Sequence, residues 1–256
     1  MSELEVRATV QDPPPTWAQP ELAWPLAILA GFAGAWVGLQ LQLPGVPESV
    51  ACAAFAPLYL ALLGLRGARL VAMLALGWVL GIAGAVQGAV LDDLGQNVRS
   101  ALPLGGAYRA MGLDPWLEPG AQPLARSIWV VCAWIVVTPA LAWVSRGILS
   151  LLSIAMATGA VMAAAADWAL RAVQAGSGPL TAALLCTSPM AAAEIAGVIL
   201  ASSAAAAWRI PAPGPVLRGR RQLFLIGMGL ALGTALAESW VGPYWAQAVR
   251  RLLSLP

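Results

Sequence analysis

The sequence contains no lysine and no histidine, so all 14 of its basic residues are arginine. Without histidine there is no His-ligated haem, no His-Asp or Ser-His-Asp relay and no ordinary zinc ligand set. Without lysine there is no P-loop lysine and no Schiff base for retinal or pyridoxal phosphate. Charge of either sign is scarce, at 10% of 256 residues with a net +2, which is too little to hold a nucleic acid backbone. The three cysteines, Cys52, Cys132 and Cys186, lie in apolar runs without C-x-x-C spacing and read as small buried hydrophobes. The chain is therefore expected to be no enzyme and to carry no metal or cofactor.

What is abundant is apolar. Hydrophobic residues make up 60% of the chain, well beyond a soluble domain, so the expected fold is an all-α polytopic transmembrane helix bundle. A span needs about 20 apolar residues to cross a hydrocarbon core of roughly 30 Å. Charges and Pro/Gly clusters divide the sequence into seven candidate stretches, 23–43, 49–64, 70–91, 127–144, 148–170, 179–208 and 222–241. The second is short and contains Pro57, so six or seven spans are expected. Trp24, Trp129, Trp143, Trp168, Trp208 and Trp240 fall near the ends of these stretches, where indoles anchor at the headgroup level.

Residues 1–22 are polar and Pro-rich and lack the features of a cleaved signal peptide, so they read as a short cytosolic tail. Arginine bias orients the rest: Arg66 and Arg69, Arg146, and then Arg209, Arg218, Arg220 and Arg221 fall in three connections that must share the cytoplasmic side of a plasma (inner) membrane. The N-terminus is then cytoplasmic and the C-terminus outside. Arg250 and Arg251 resist this assignment unless 244–255 lies along the interface. The 92–126 loop is the one sizeable soluble segment, either a cap on the bilayer or a docking surface for an extracytoplasmic partner.

Acids inside a span cost roughly 2.5–3.5 kcal/mol at its centre, so each calls for a reason. Asp167 has Arg171 one turn later and neutralises itself. Glu238 lies near the outer end of the last span. Glu194 has no basic residue within a turn, but Thr187-Ser188-Pro189 reads as a helix start, with Ser188 as N-cap and Pro189 in the first turn. The 179–208 stretch is thus expected to be broken or re-entrant around 179–189, with Glu194 in the second turn of the spanning part. Small residues recur every fourth position at Gly77, Gly81, Gly84 and Gly88, at Ala193, Gly197, Ala201 and Ala205, and at Gly229, Gly233 and Ala237. Such stripes let helix backbones approach closely, and the last two are expected to pack together with Glu194 and Glu238 near their seam.

Gly147-Ile148-Leu149, Thr158-Gly159, the run Ser188-Pro189-Met190-Ala191-Ala192-Ala193-Glu194-Ile195-Ala196-Gly197, the Arg/Pro-rich loop after it, and Leu236-Ala237-Glu238-Ser239-Trp240-Val241-Gly242-Pro243 together resemble the stage II sporulation protein M family of integral membrane proteins. The resemblance covers roughly 127–245 and makes that segment a family-like membrane core, flanked by the helices of 23–91 and a C-terminal interfacial tail at 246–256. The family's Pro-His-Gly-x-x-Glu element keeps Pro189 and Glu194 but has Met190 and Ala191 in place of His and Gly. The resemblance implies a non-catalytic subunit that scaffolds or anchors a multiprotein complex of the cell envelope, as a homo- or hetero-oligomer in the lipid bilayer. The alternative is the membrane subunit of a transporter partnered by a cytosolic ATPase, or a small channel, with 179–208 lining the path and Arg209, Arg218, Arg220 and Arg221 docking the partner.

Overall fold

The computed structural model describes residues 19–41, 46–89, 124–178, 181, 182, 185 and 188–253. The tail expected at 1–22, the loop expected at 92–126 and the break expected at 179–187 lie largely outside the described residues. Seven helices are described: α1 (Pro20–Gln40), α2 (Val46–Arg66), α3 (Ala68–Ala89), α4 (Leu124–Ser145), α5 (Ile148–Gln174), α6 (Pro189–Ala207) and α7 (Gly214–Leu252). Among the described residues there is no strand. Helix is what an apolar chain must form where no water can satisfy its backbone, since each amide then bonds within its own segment. Four helices, α1, α2, α3 and α6, are long and apolar enough to cross a membrane, and α7 joins them as two segments, Gly214–Glu238 and Trp240–Val249, bent by 45°.

Local chemistry sets the helix ends. Pro20 and Glu21 open α1, a proline in the first turn followed by an acid at the positive end of the helix dipole. The same signal, Pro47-Glu48, starts α2 three residues earlier than expected, and Pro57 does not interrupt its 21 residues. The bend in α7 has its cause four residues on: Pro243 has no N–H to give the carbonyl of Ser239. At 39 residues α7 is about 58 Å along its path, nearly twice a hydrocarbon core, and exceeds the expected 222–241 at both ends. Gly67 alone links α2 to α3, and Arg146-Gly147 links α4 to α5, each of the three residues with positive φ. Gly147 also lies against the Tyr59 ring, where a side chain would not fit.

Packing follows the glycines. Gly81 of α3 sits on the carbonyl of Ile28, while Gly77, Gly84 and Gly88 face the side chains of Trp24, Phe32 and Trp36, so the α3 stripe is the surface that receives α1. On α1, Gly31 meets the carbonyl of Trp78, and Gly34 and Gly38 meet the backbone of Ala51 and Pro47, which wedges α1 between α2 and α3. The large buried residues fill this unit. Trp78 stacks on Phe55 with centroids 5.1 Å apart, and its indole N–H donates to the Ala51 carbonyl at 3.0 Å.

The second close pairing is α6 on α7. A Cβ on Gly197 would fall 2.6 Å from the Ala231 nitrogen and 2.7 Å from the Gly227 carbonyl oxygen, and Gly227 is equally confined by the Gly197 carbonyl and Ala201 nitrogen. The α6 stripe therefore faces α7 as expected, but the α7 side of the seam differs from the expected one. Gly229 and Gly233 have nothing within 4 Å, and the contact is made by Gly227, Ala231 and Ala235. The two stripes are interleaved on α7, two residues and about 200° apart. Small residues on both leave the choice to the tertiary contacts.

The outer surface is apolar, with Leu29, Leu80, Val136, Leu225 and Ile226 more than half exposed. Exposed side chains of this kind suit lipid rather than water, as expected of a membrane protein. Gly227→Leu is expected to destabilise the fold by about 3 kcal/mol through backbone displacement, and Gly229→Leu by less than about 0.5 kcal/mol. Thermal unfolding of the two variants in detergent checks the assignment of the seam.

Candidate functional site

The site is built at the start of α6. Ser188 is its N-cap, with its hydroxyl oxygen accepting the Ala191 N–H at 3.3 Å, as the sequence pattern Ser-Pro predicts. The same hydroxyl donates to Glu238 Oε1 at 3.2 Å, fifty residues away on α7. One serine therefore ends one helix and fastens another. Glu238 is held just before the bend, which places the latch where α7 changes direction.

Glu194 stands in the second turn of α6 and is only 8% exposed. Glu238 is the one charged group, among the described residues, that acts on it. The two carboxyls expected at the seam are thus brought near each other, with the serine hydroxyl on Glu238. The side chains of Asp167 and Arg171, expected to neutralise each other on α5, lie outside the described residues. No group of three or more His, Cys, Asp or Glu side chains converges among the described residues. The chemistry this arrangement supports is hydrogen bonding between helices within the bundle.

At the other end of α6 the arginines divide into two kinds. Arg220 is 6% exposed, and its Nη1 donates to the carbonyls of Ala207 and Ile210, both at 2.6 Å. Ala207 is the last residue of α6 and Ile210 lies in the turn after it, so the guanidinium holds that turn against the end of α6 and meets the negative end of the helix dipole. Arg220 is therefore not the free docking residue expected from the sequence. Arg209 lies over the Trp143 ring at 5.0 Å and donates to the Val144 carbonyl at 3.3 Å, which ties the α6–α7 connection to the end of α4. Arg218 and Arg221 are exposed.

No protein-family model matches the chain, and no curated protein or solved structure matches it either. The site therefore rests on its own geometry. Three polar features elsewhere in the bundle are not marked by the sequence pattern set out above. Glu48, 2% exposed in the first turn of α2, has an oxygen without a hydrogen-bond partner among the described residues; a Pro-Glu pair at a helix start is the signal that could have found it. Tyr59 bonds Ser203 across α2 and α6. Ser153 receives the Trp134 indole N–H and bonds Thr138, each at 3.0 Å, which joins α4 to α5. Single serines and threonines inside apolar helices give no spacing signal, because any of them can instead bond its own helix.

Ser188→Ala is expected to cost about 1–2 kcal/mol by removing the cap and freeing Glu238. Glu238→Gln keeps an acceptor for the serine and is expected to cost less than half as much, and a double-mutant cycle read by thermal unfolding gives their coupling. Arg220→Gln is expected to cost about 2–3 kcal/mol and Arg221→Gln less than about 0.5 kcal/mol, read the same way.

Proposed function

We propose that this chain is a non-catalytic, multi-pass subunit of the plasma (inner) membrane that scaffolds or anchors a multiprotein complex of the cell envelope. Six or seven of its helical stretches cross the bilayer, with the N-terminus in the cytoplasm and the C-terminus outside. The observation that carries this reading is the latch of Ser188 on Glu238 beside the buried Glu194. The scarce polar groups inside the bundle are spent on joining helices to one another, with the Tyr59–Ser203 and Trp134–Ser153–Thr138 bonds acting in the same way. The resemblance of 127–245 to the stage II sporulation protein M family supports the same reading, since Pro189 opens α6 and Glu194 faces α7, so the positions the resemblance rests on lie in the joint. The orientation is supported by the arginines that cap α4 and α6, both at one end of the bundle.

One observation favours a second reading. Glu194 makes no hydrogen bond to another described residue and faces a second acid, which is how a transport subunit or small channel would hold an ion or proton near a helix start. The two readings part on one variant. In the scaffold reading Glu194→Gln lowers the recovery of co-purifying envelope proteins in mild detergent and leaves ion or proton flux in liposomes unchanged. Flux through the wild-type protein that the same change abolishes overturns it.

A further inference from the structure

The turn between α4 and α5 combines three features that the scaffold reading does not use. Arg146 has φ +55°, in the left-handed region, and the Gly147 N–H returns to the Ala142 carbonyl at 2.9 Å. This is a Schellman ending with arginine at the position glycine usually takes, a conformation costing a residue with a Cβ roughly 1–2 kcal/mol. The Arg146 side chain is exposed and is bonded to no other described residue. A strained residue that holds its cation outward is placed to meet something outside the chain.

The second feature is Arg209, which reaches the same turn. Its guanidinium lies over Trp143 and bonds the Val144 carbonyl, two residues before Arg146. The turn therefore carries two positive charges against about half a negative charge from the end of α4. Trp143 beside them is 49% exposed and Trp208, the residue before Arg209, is 40% exposed, as indoles are at a headgroup boundary.

The third is that no acidic residue lies near these arginines in the sequence. No Asp or Glu occurs between Glu118 and Asp167 or between Glu194 and Glu238, the two stretches that contain Arg146, Arg209, Arg218, Arg220 and Arg221. With Arg220 spent on the end of α6, the other four arginines are exposed. An external anion is therefore a natural partner for this end of the bundle, beside the exposed indoles of Trp143 and Trp208.

We propose that Arg146 and Arg209, flanked by Trp143, bind the phosphate of an anionic phospholipid, with Arg218 and Arg221 on the first turns of α7 adding to the field. The inference rests on the membrane reading and not on the scaffold role, so loss of the complex-assembly phenotype leaves it standing. The guanidinium forks suit a phosphodiester, and the apolar flanks of α4 and α7, Val144, Val216 and Leu217, suit the acyl chains below it.

The test is thermal unfolding and native mass spectrometry of the full-length protein in mild detergent, with phosphatidylglycerol, phosphatidylcholine or inorganic phosphate added. Phosphatidylglycerol is expected to raise the midpoint and to be retained, more weakly as salt increases, where the other two do neither. Arg209→Gln is expected to weaken phosphatidylglycerol binding about fivefold. Arg146→Gly separates binding from folding: it raises the midpoint without anionic lipid, by relieving the left-handed residue, yet weakens phosphatidylglycerol binding by a similar factor. Equal stabilisation by phosphatidylcholine, an equal effect of inorganic phosphate, or undiminished phosphatidylglycerol binding by both variants would overturn the proposal.

Discussion

The contact on which the second half of the molecule depends is the seating of the α6 backbone on that of α7 at Gly197 and Gly227. In lipid, helices gain nothing by hiding apolar surface, because the solvent is as apolar as they are, so association depends on close van der Waals contact and on hydrogen bonds between helices. Two glycines facing each other allow the approach, and the approach brings Ser188 within reach of Glu238 and Glu194 into the field of Glu238. A larger residue at either position would part the two acids as well as the two helices. In the first half, α1 on α3 at Gly31 and Gly81 has the same character, with Trp78 and Phe55 filling the space behind it.

Charge is deployed with economy at the two ends of α6. Its N-terminus receives a serine cap that also bonds Glu238, and its C-terminus meets the Arg220 guanidinium, the sign the helix dipole favours there. The α4 C-terminus is treated in the same way by Arg209. Arginine suits this task better than lysine, because one guanidinium reaches two carbonyls and also lies flat on an indole. A chain without lysine uses two of its arginines to bond carbonyls at helix ends.

Much of this was legible in the residue pattern. Each of the seven apolar stretches overlaps one of the seven described helices, because the length of an apolar run bounded by charges is set by local composition. The start of α6 was legible down to its capping serine, since an N-cap is a contact between residues three apart. The α3 stripe was legible too, as all its glycines lie on one face. The seam on α7 was not: Gly227 and Ala231 compete with Gly229 and Gly233, and nothing within α7 ranks one face above the other. The fate of Arg220 was equally hidden, because an arginine thirteen residues past the end of α6 reads as a loop charge until the chain folds back on itself.

Composition alone determined that the protein is helical and apolar, that histidine and lysine chemistry is absent, and that a handful of acids in apolar stretches would need partners. These are properties of segments, decided by hydrogen bonding within a helix and by the cost of charge in an apolar setting, and they need no knowledge of neighbours. Only the tertiary structure decided which face of α7 meets α6, that Ser188 holds Glu238, and that Arg220 is a cap while Arg146 stays free. Those outcomes depend on distances between residues 13 to 65 positions apart, and helix packing sets such distances where sequence separation does not.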